Sequence, residues 1–372
     1  MDAPDISVIV PTLNEAANLT PLMERINAAL SGRRYEVLIV DDNSHDNTPQ
    51  ICEALAKNFP LRLLVRTAPR DGLSGAVLFG MAEARGEILV VMDADLQHPP
   101  ERLPELIAAI ERGADFAVGS RYVKGGSIES GWTFFRAINS WVATALARPF
   151  AGRVSDPMSG FLALRRASYQ SARRLTPLGY KIGLELLCKT RAQNVQEIPI
   201  HFGKRQAGES KLNLREQFRY LEHLSRLYDF SFPRLSPIVK FLIVTILSWS
   251  LAACYYVATR SIGWRPVGSL IIAYGLVVAV TAVFHARYVR TQREFLVHRR
   301  PWIDFLLSAA CEWTACAVVA WYLISRAGVH REAEVFLISF IAALFVRYVL
   351  RKELLLDVRG LRHEIRKDEM HP

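Results

Sequence analysis

Cysteine is scarce in this chain of 372 residues. The five present, Cys52, Cys188, Cys254, Cys311 and Cys316, are odd in number and show no C-x-x-C spacing, which argues against a disulfide framework and against a zinc site. A dinucleotide fingerprint is missing as well. The turn after the first apolar run reads P-T-L-N-E from Pro11, with no G-x-G-x-x-G to let a pyrophosphate approach the backbone, so neither a nicotinamide nor a flavin cofactor is expected. No basic leader opens the chain either: Asp2 and Asp5 stand where such a region would be, and a secretory signal peptide is not expected. Acidic residues are the minority, 36 Asp and Glu against 46 Lys and Arg, for a net charge of +10. Much of the arginine adjoins long apolar runs, which points to anionic lipid headgroups and not to nucleic acid.

Those apolar runs divide the chain. Charged and apolar residues are interspersed up to about Leu235, whereas beyond Pro237 four long apolar stretches follow, at 238–258, 266–285, 303–325 and 333–350. Each approaches the roughly 20 residues that cross a bilayer core, so four transmembrane helices are expected. Arg287, Arg290, Arg293, Arg299 and Arg300 lie between the second and third, and Arg351, Lys352, Arg359, Arg362, Arg366 and Lys367 follow the fourth. The two remaining loops hold only Arg260 with Arg265, and Arg326 with Arg331. Basic loops stay on the cytoplasmic side, which predicts a multi-pass membrane protein with both termini and the large N-terminal domain in the cytoplasm. The expected domains are 1–212, an amphipathic juxtamembrane segment over 213–236, the four helices over 237–350, and a basic tail over 351–372.

Within the first domain, apolar strands alternate with helical patterns. A strand at 6–10 stops at Pro11, and Leu19, Leu22, Met23, Ile26 and Leu30 then recur at helical spacing. A strand at 35–40 ends in Asp41-Asp42-Asn43-Ser44, a helix covers 48–58, and a strand follows at 61–65. Gly72 to Gly75 opens a helix through Ala84 that feeds a strand at 88–92, which breaks into Asp93-Ala94-Asp95-Leu96-Gln97. This order predicts a mainly parallel α/β sheet, whose ligands bind beyond the C-terminal ends of the strands. Asp93 and Asp95 would share a face if the strand continued, and with the Gln97 amide they offer hard oxygen ligands suited to Mg²⁺ or Mn²⁺. The same residues equally fit a polar strand exit.

Seven ordered motifs carry a resemblance. P-T-L-N-E from Pro11, V-D-D-N-S from Val40, the stretch from Gly72 to Gly86, D-A-D-L-Q-H-P-P-E from Asp93, G-S-R-Y-V-K-G-G from Gly119, S-G-F at Ser159 and F-G-K-R-Q-A-G-E-S-K from Phe202 resemble a family 2 glycosyltransferase of GT-A fold. Within that family the chain is similar to dolichyl-phosphate mannose synthases and related polyprenyl-phosphate sugar transferases. The resemblance covers residues 6–212. It implies a Rossmann-like mixed, mainly parallel sheet flanked by helices, here followed by the all-helical membrane domain. It also implies that Pro11, Leu13, Glu15, Val40 and Asp42 line the nucleotide-sugar pocket, with Ala94 near the diphosphate. Asp93, Asp95 and Gln97 would hold the divalent metal, and Arg205 with Lys211 would neutralise the departing nucleoside diphosphate. The family often has Tyr where Leu13 stands.

Arg121 follows a strand at 116–119, and Arg136 and Ser140 are four apart on a helical pattern, hence on one face. Guanidinium groups grip phosphate in a bidentate fork, and the resemblance implies that these three contact the acceptor lipid phosphate. The neighbouring Trp132, Phe134, Phe135 and Trp141 also suit an interfacial anchor. Asp156 fits either a group that orients acceptor or sugar or an ordinary loop acid; His98 and His201 fit packing or loop roles. Residues 214–228 form an amphipathic pattern suited to a membrane surface or to packing on the α/β domain.

The expected activity is inverting, metal-dependent transfer of a hexose to dolichyl or polyprenyl phosphate at the cytoplasmic face, with Asp95, Arg205, Lys211 and Arg121 as the catalytic set. Mannose from GDP-mannose is the first choice and glucose from UDP-glucose the alternative; a non-catalytic lipid-sugar carrier or flippase is the reading from another class. No Q-x-x-R-W is present, so a processive polysaccharide synthase is not expected.

Overall fold

A computed structural model describes residues 3–129, 134–172, 175, 181–203, 214–233, 235–284, 301–328 and 331–355. The chain divides into two compact units, Met1–Leu227 and Tyr228–Pro372.

The first unit is built on β1 (Ile6–Thr12), which is buried at every position because it has parallel neighbours on both sides, β2 (Tyr35–Asp41) and β4 (Ile88–Val91). With β3 (Leu61–Val65), β5 (Phe116–Ser120), β7 (Leu162–Arg165) and β8 (Val195–Pro199) they form a seven-stranded sheet in the order β3-β2-β1-β4-β7-β5-β8. Only β7 runs antiparallel to its neighbours, so the sheet is mixed and mainly parallel. A small parallel pair, β6 (Ser127–Ile128) and β9 (His201–Phe202), stands apart.

Strand periodicity sorts the core into two layers. Val8 and Val10 face one side with Leu19, Met23 and Ile26 of α1 (Ala16–Ala29), whereas Ile9 faces the other, with Val77 and Met81 of α3 (Gly72–Glu83). The second layer also takes in Leu184 and Leu187 of α7 (Ile182–Lys189) and Leu224 and Leu227 of α8 (Leu214–Ser231). α3 can approach this closely because Gly80 has no side chain; a Cβ there would stand 2.6 Å from Ile9 Cγ2 and 2.8 Å from Val40 Cγ2.

Two expectations change. The first strand does not stop at Pro11 but runs on to Thr12, paired with β2 as far as Thr12↔Asp41. Pairing with β4 ends three residues earlier, at Ile9↔Val91, because the N–H that Pro11 lacks falls on the β4 side. That asymmetry parts β1 from β4 at their C-terminal ends. The amphipathic segment is one helix, α8, and it packs on the first unit through Leu224, Leu227 and a 2.7 Å bond from Tyr220 Oη to the Ala143 carbonyl; Phe218 and Leu221 stay exposed.

The second unit contains four long helices, α9 (Ser236–Ser261), α10 (Pro266–Phe284), α11 (Pro301–Ser325) and α12 (Glu332–Leu355). By length and composition one stretch among the described residues, Leu242–Ser261, is apolar enough to cross a membrane. The apolar stretches of the others, Gly268–Thr281, Ala309–Ser325 and Glu334–Val346, are shorter than the four-span expectation requires. Its exterior carries exposed Leu251, Val318, Trp321 and Phe345, while Ser248, Ser269, Glu312 and Ser339 are buried.

Candidate functional site

The β4 strand ends at Val91, so the Asp93 to Gln97 segment is a loop and not a continuation of the strand. The expected shared strand face therefore does not exist. Asp93 is half-buried and Asp95 fully buried, and Leu96 adopts a left-handed φ of 61° that turns the chain sharply between Asp95 and Gln97. Each polar group in the turn has a role. The Gln97 N–H donates to Asp95 Oδ1 (3.1 Å), and the Gln97 side-chain Nε2 donates to the Gly203 carbonyl (2.9 Å), whose own N–H returns a bond to the Gln97 carbonyl (3.2 Å). Gln97 thus ties the acidic loop to the end of β9, immediately before the segment that carries Arg205.

His98 supports the same loop from below. Its Nδ1 accepts the Asp93 backbone N–H at 3.1 Å, which requires that nitrogen to be unprotonated, and its ring stacks on Phe161 at 5.3 Å and meets Phe202 edge-on at 5.6 Å. This fits the packing role. Gly160 lies against the same corner: a Cβ there would stand in ordinary contact, 3.4 Å from His98 Cε1 and 3.6 Å from both Asp93 carboxylate oxygens.

Across Phe202 lies Arg121, its guanidinium carbon 5.2 Å from the ring centroid. Arg121 Nε and NH2 donate to the two oxygens of Asp156, both at 2.7 Å, and the Arg121 backbone N–H adds a third bond at 3.1 Å. Asp156 is wholly buried, so this is a buried bidentate ion pair and not a loop acid. Burial opposes the charge on Arg121, but the hydrogen bonds and charge of Asp156, helped by Tyr122 and Asp93, hold it above the ordinary arginine value. Lys181, at the N-terminus of α7, joins this corner: its Nζ donates to the Met158 carbonyl at 3.4 Å. Burial and the Arg121 charge depress Lys181 to about 8, against the pull of Asp156 and Asp93.

The Glycosyl transferase family 2 model matches residues 7–171. Dolichol-phosphate mannosyltransferase of Pyrococcus furiosus is 46% identical over 242 residues, 64% of this chain and 68% of that one. Dolichol-phosphate mannosyltransferase of Saccharomyces cerevisiae is 40% identical over 262 residues, 68% of this chain and 95% of its own length. The chain is a family 2 glycosyltransferase. Polyprenol monophosphomannose synthase of Mycolicibacterium smegmatis is also similar, 35% identical over 56% of this chain and 82% of that one.

In this family 2 glycosyltransferase the residues expected around a nucleotide lie at the C-terminal ends of β1 and β2, as the fold requires. The two loops are laced together: the Asn14 N–H donates to Ser44 Oγ (2.8 Å), the His45 N–H to Asn14 Oδ1 (2.9 Å) and the Glu15 N–H to Thr48 Oγ1 (3.2 Å). Glu15 accepts from Asn18 Nδ2 at 2.6 Å, and Pro11, Val40 and Leu13 lie on the same edge. Asp42 is paired at 2.8 Å with Arg66, a residue that the sequence did not single out. Its position one residue beyond β3, beside the end of β2, was the available signal. Gly160 and Lys181 were missed too, because only tertiary folding brings them to Asp93 and Arg121. Arg205 and Lys211 lie outside the described residues. Arg136 and Ser140 are on α5 (Phe134–Ala151), one turn apart, and their side chains lie outside the described residues. His201 is exposed on β9 and bonded to Ser127 Oγ at 2.5 Å, away from the acidic loop's hydrogen bonds.

Among the described residues no group of three or more His, Cys, Asp and Glu side chains gathers as a ready metal cage. The chemistry of the donors present, two carboxylates and an amide oxygen at one turn, nevertheless fits Mg²⁺ or Mn²⁺, which take few protein ligands and complete their shell with water and substrate phosphate.

Proposed function

We propose that this glycosyltransferase transfers mannose from GDP-mannose to a dolichyl or polyprenyl phosphate, with inversion at the anomeric carbon. The observation that carries this reading is the 46% and 40% identity to two dolichol-phosphate mannosyltransferases, the second over 95% of that protein's length. The four apolar helices hold the enzyme in the membrane, with the α/β unit and both termini on the cytoplasmic side.

The pocket residues Pro11, Leu13, Glu15, Val40 and Asp42 take the nucleotide, and Asp93, Asp95 and Gln97 would hold a divalent cation. When bound, such a cation would supply positive charge for the leaving diphosphate. Asp93 is kept in place by the bond from its backbone N–H to His98 Nδ1. Gln97 is bonded to Gly203, and the resemblance assigns Arg205 and Lys211 to neutralising the departing phosphate. Arg121, Arg136 and Ser140 receive the acceptor. A phosphate monoester has a second pKa of about 6, so its oxygen is already anionic at neutral pH and attacks without a general base. The protein's work is to bring two anions together in line and to hold their charge.

The test is to supply membranes containing the full chain with labelled GDP-mannose, UDP-glucose or UDP-N-acetylglucosamine and a polyprenyl phosphate. Mannose label in the lipid phase is the expected result. Glucose label alone would replace the donor, and label from neither hexose would end the reading.

A further inference from the structure

Arg121 cannot by itself supply the positive charge that an acceptor phosphate needs. Two of its nitrogens are committed to Asp156, and that pair is neutral as a unit. Asp156 is locked in turn: the Ser155 and Asp156 backbone N–H groups both donate to the Glu197 carboxylate, at 2.9 and 3.2 Å, which fixes the segment and leaves further negative charge behind it. The Asp93 charge acts on Arg121 as well. A phosphate dianion entering beside Arg121 would therefore gain little net positive charge from the Arg121–Asp156 pair alone.

One more cation reaches the same corner. Lys181 caps α7 and its ammonium lies against the Met158 carbonyl, within the fields of Arg121, Asp156 and Asp93. Met158 belongs to the loop that runs from Asp156 to Gly160, so Lys181 is tied to the loop that carries the partner of Arg121 and feels the Asp93 charge. An ammonium has three donors in rotatable positions, which lets it keep a carbonyl and still turn toward an incoming oxygen. Two partly buried cations that feel each other's charge oppose one another, an arrangement that a bound anion relieves.

We propose that Lys181 is a binding residue for the acceptor's phosphomonoester, acting with Arg121, and that it sets the affinity for the lipid phosphate and not for the nucleotide sugar. The proposal rests on the lipid-phosphate reading above. Lys181→Gln should raise the KM for polyprenyl phosphate by about tenfold or more, the scale of a charge-assisted hydrogen bond lost from a buried site. The KM for GDP-mannose should stay within about twofold, and Lys181→Arg should recover most of the acceptor affinity because it restores the cation. An unchanged acceptor KM in Lys181→Gln, or an equal rise in both KM values, would overturn it.

A measurement on the unaltered protein covers the case in which a variant fails to fold. Lys181, depressed to about 8, is a good target for an amine-acylating reagent at neutral pH. Mass spectrometry of the full chain in detergent should show acylation of Lys181 suppressed by polyprenyl phosphate, and not by the parent polyprenol. Equal labelling in the presence of the two lipids defeats the proposal. This readout needs no turnover, so it decides the role of Lys181 even if the wild-type enzyme transfers some sugar other than mannose.

Discussion

The two units of this chain bury polar side chains for different reasons. In the α/β unit the apolar sheet core also encloses polar groups that meet specific partners, Ser7 with Glu36, Glu36 with Arg62, and Arg121 with Asp156. In the helical unit Leu251, Trp321 and Phe345 are exposed while Ser248, Ser269, Glu312 and Ser339 are inside. Water explains the first pattern and cannot explain the second, since a soluble surface rarely carries so continuous an apolar exterior. Lipid does explain it: where tails are as apolar as leucine, small and polar groups move to the helix–helix contacts. A polar interior therefore means different things in the two units: in one it is the site, in the other it is how the helices hold together.

The sharpest way to test that contrast is to remove one buried acid from the site. Asp95→Ala should lower transfer to lipid phosphate by roughly 10²- to 10³-fold, the scale lost with one group that stabilises developing charge, while circular dichroism reports an intact fold. A fall of less than tenfold would mean that the acidic loop is only a strand exit.

Next comes the Arg121–Asp156 pair. Asp156→Ala strands a buried guanidinium and should cost about 3–5 kcal/mol in the stability of the α/β unit, read as a lower midpoint of denaturant unfolding. The double variant Arg121→Met, Asp156→Leu should regain most of that stability and none of the activity. If the double variant kept its activity, the pair would be scaffolding alone.

In the helical unit the same logic runs outward. Leu251 is exposed near the middle of Leu242–Ser261, the stretch long and apolar enough to cross a membrane among the described residues. Leu251→Lys should cost about 2.5–3.5 kcal/mol if that face meets lipid, visible as loss of the chain from the membrane fraction. Facing water, the same change would stay within about 0.5 kcal/mol.

How far the sequence revealed each unit follows from the range of the interactions. The first five strands and the α3 helix were legible because alternation and turn residues are local, and the 61–65 strand coincides with β3, Leu61–Val65, whereas β6 to β9 were not read. The end of β1 was not, since whether Pro11 terminates a strand depends on which neighbour its missing N–H would have faced. Asp93, Asp95 and Gln97 were legible as a cluster, yet their geometry depends on the left-handed Leu96 and on Gly203, 106 residues beyond Gln97. Asp156 as the partner of Arg121, Arg66 as the partner of Asp42, and Lys181 within the fields of Arg121 and Asp156 were invisible because each is a long-range meeting of charges. The four long helices followed from composition, but their polar interior did not, because a helical pattern apolar on all sides does not say which face is inside.

The smallest effect should come from the charged group buried in the helical unit. Glu312 is fully buried near the middle of α11 and accepts a hydrogen bond from Tyr274 Oη at 3.1 Å, with Tyr274 itself packed edge-on against Phe340 at 5.6 Å. If this pair only joins α10 to α11, Tyr274→Phe removes one interhelical bond and should cost about 0.6 kcal/mol, at most about 1.7, in the thermal stability of the purified protein, with the rate of sugar transfer unchanged. A fall in transfer with little change in stability would break the contrast between the units. Ionisable groups inside membranes are rare, and one that affected catalysis without holding the helices together would make Glu312 part of the route taken by a substrate or a proton.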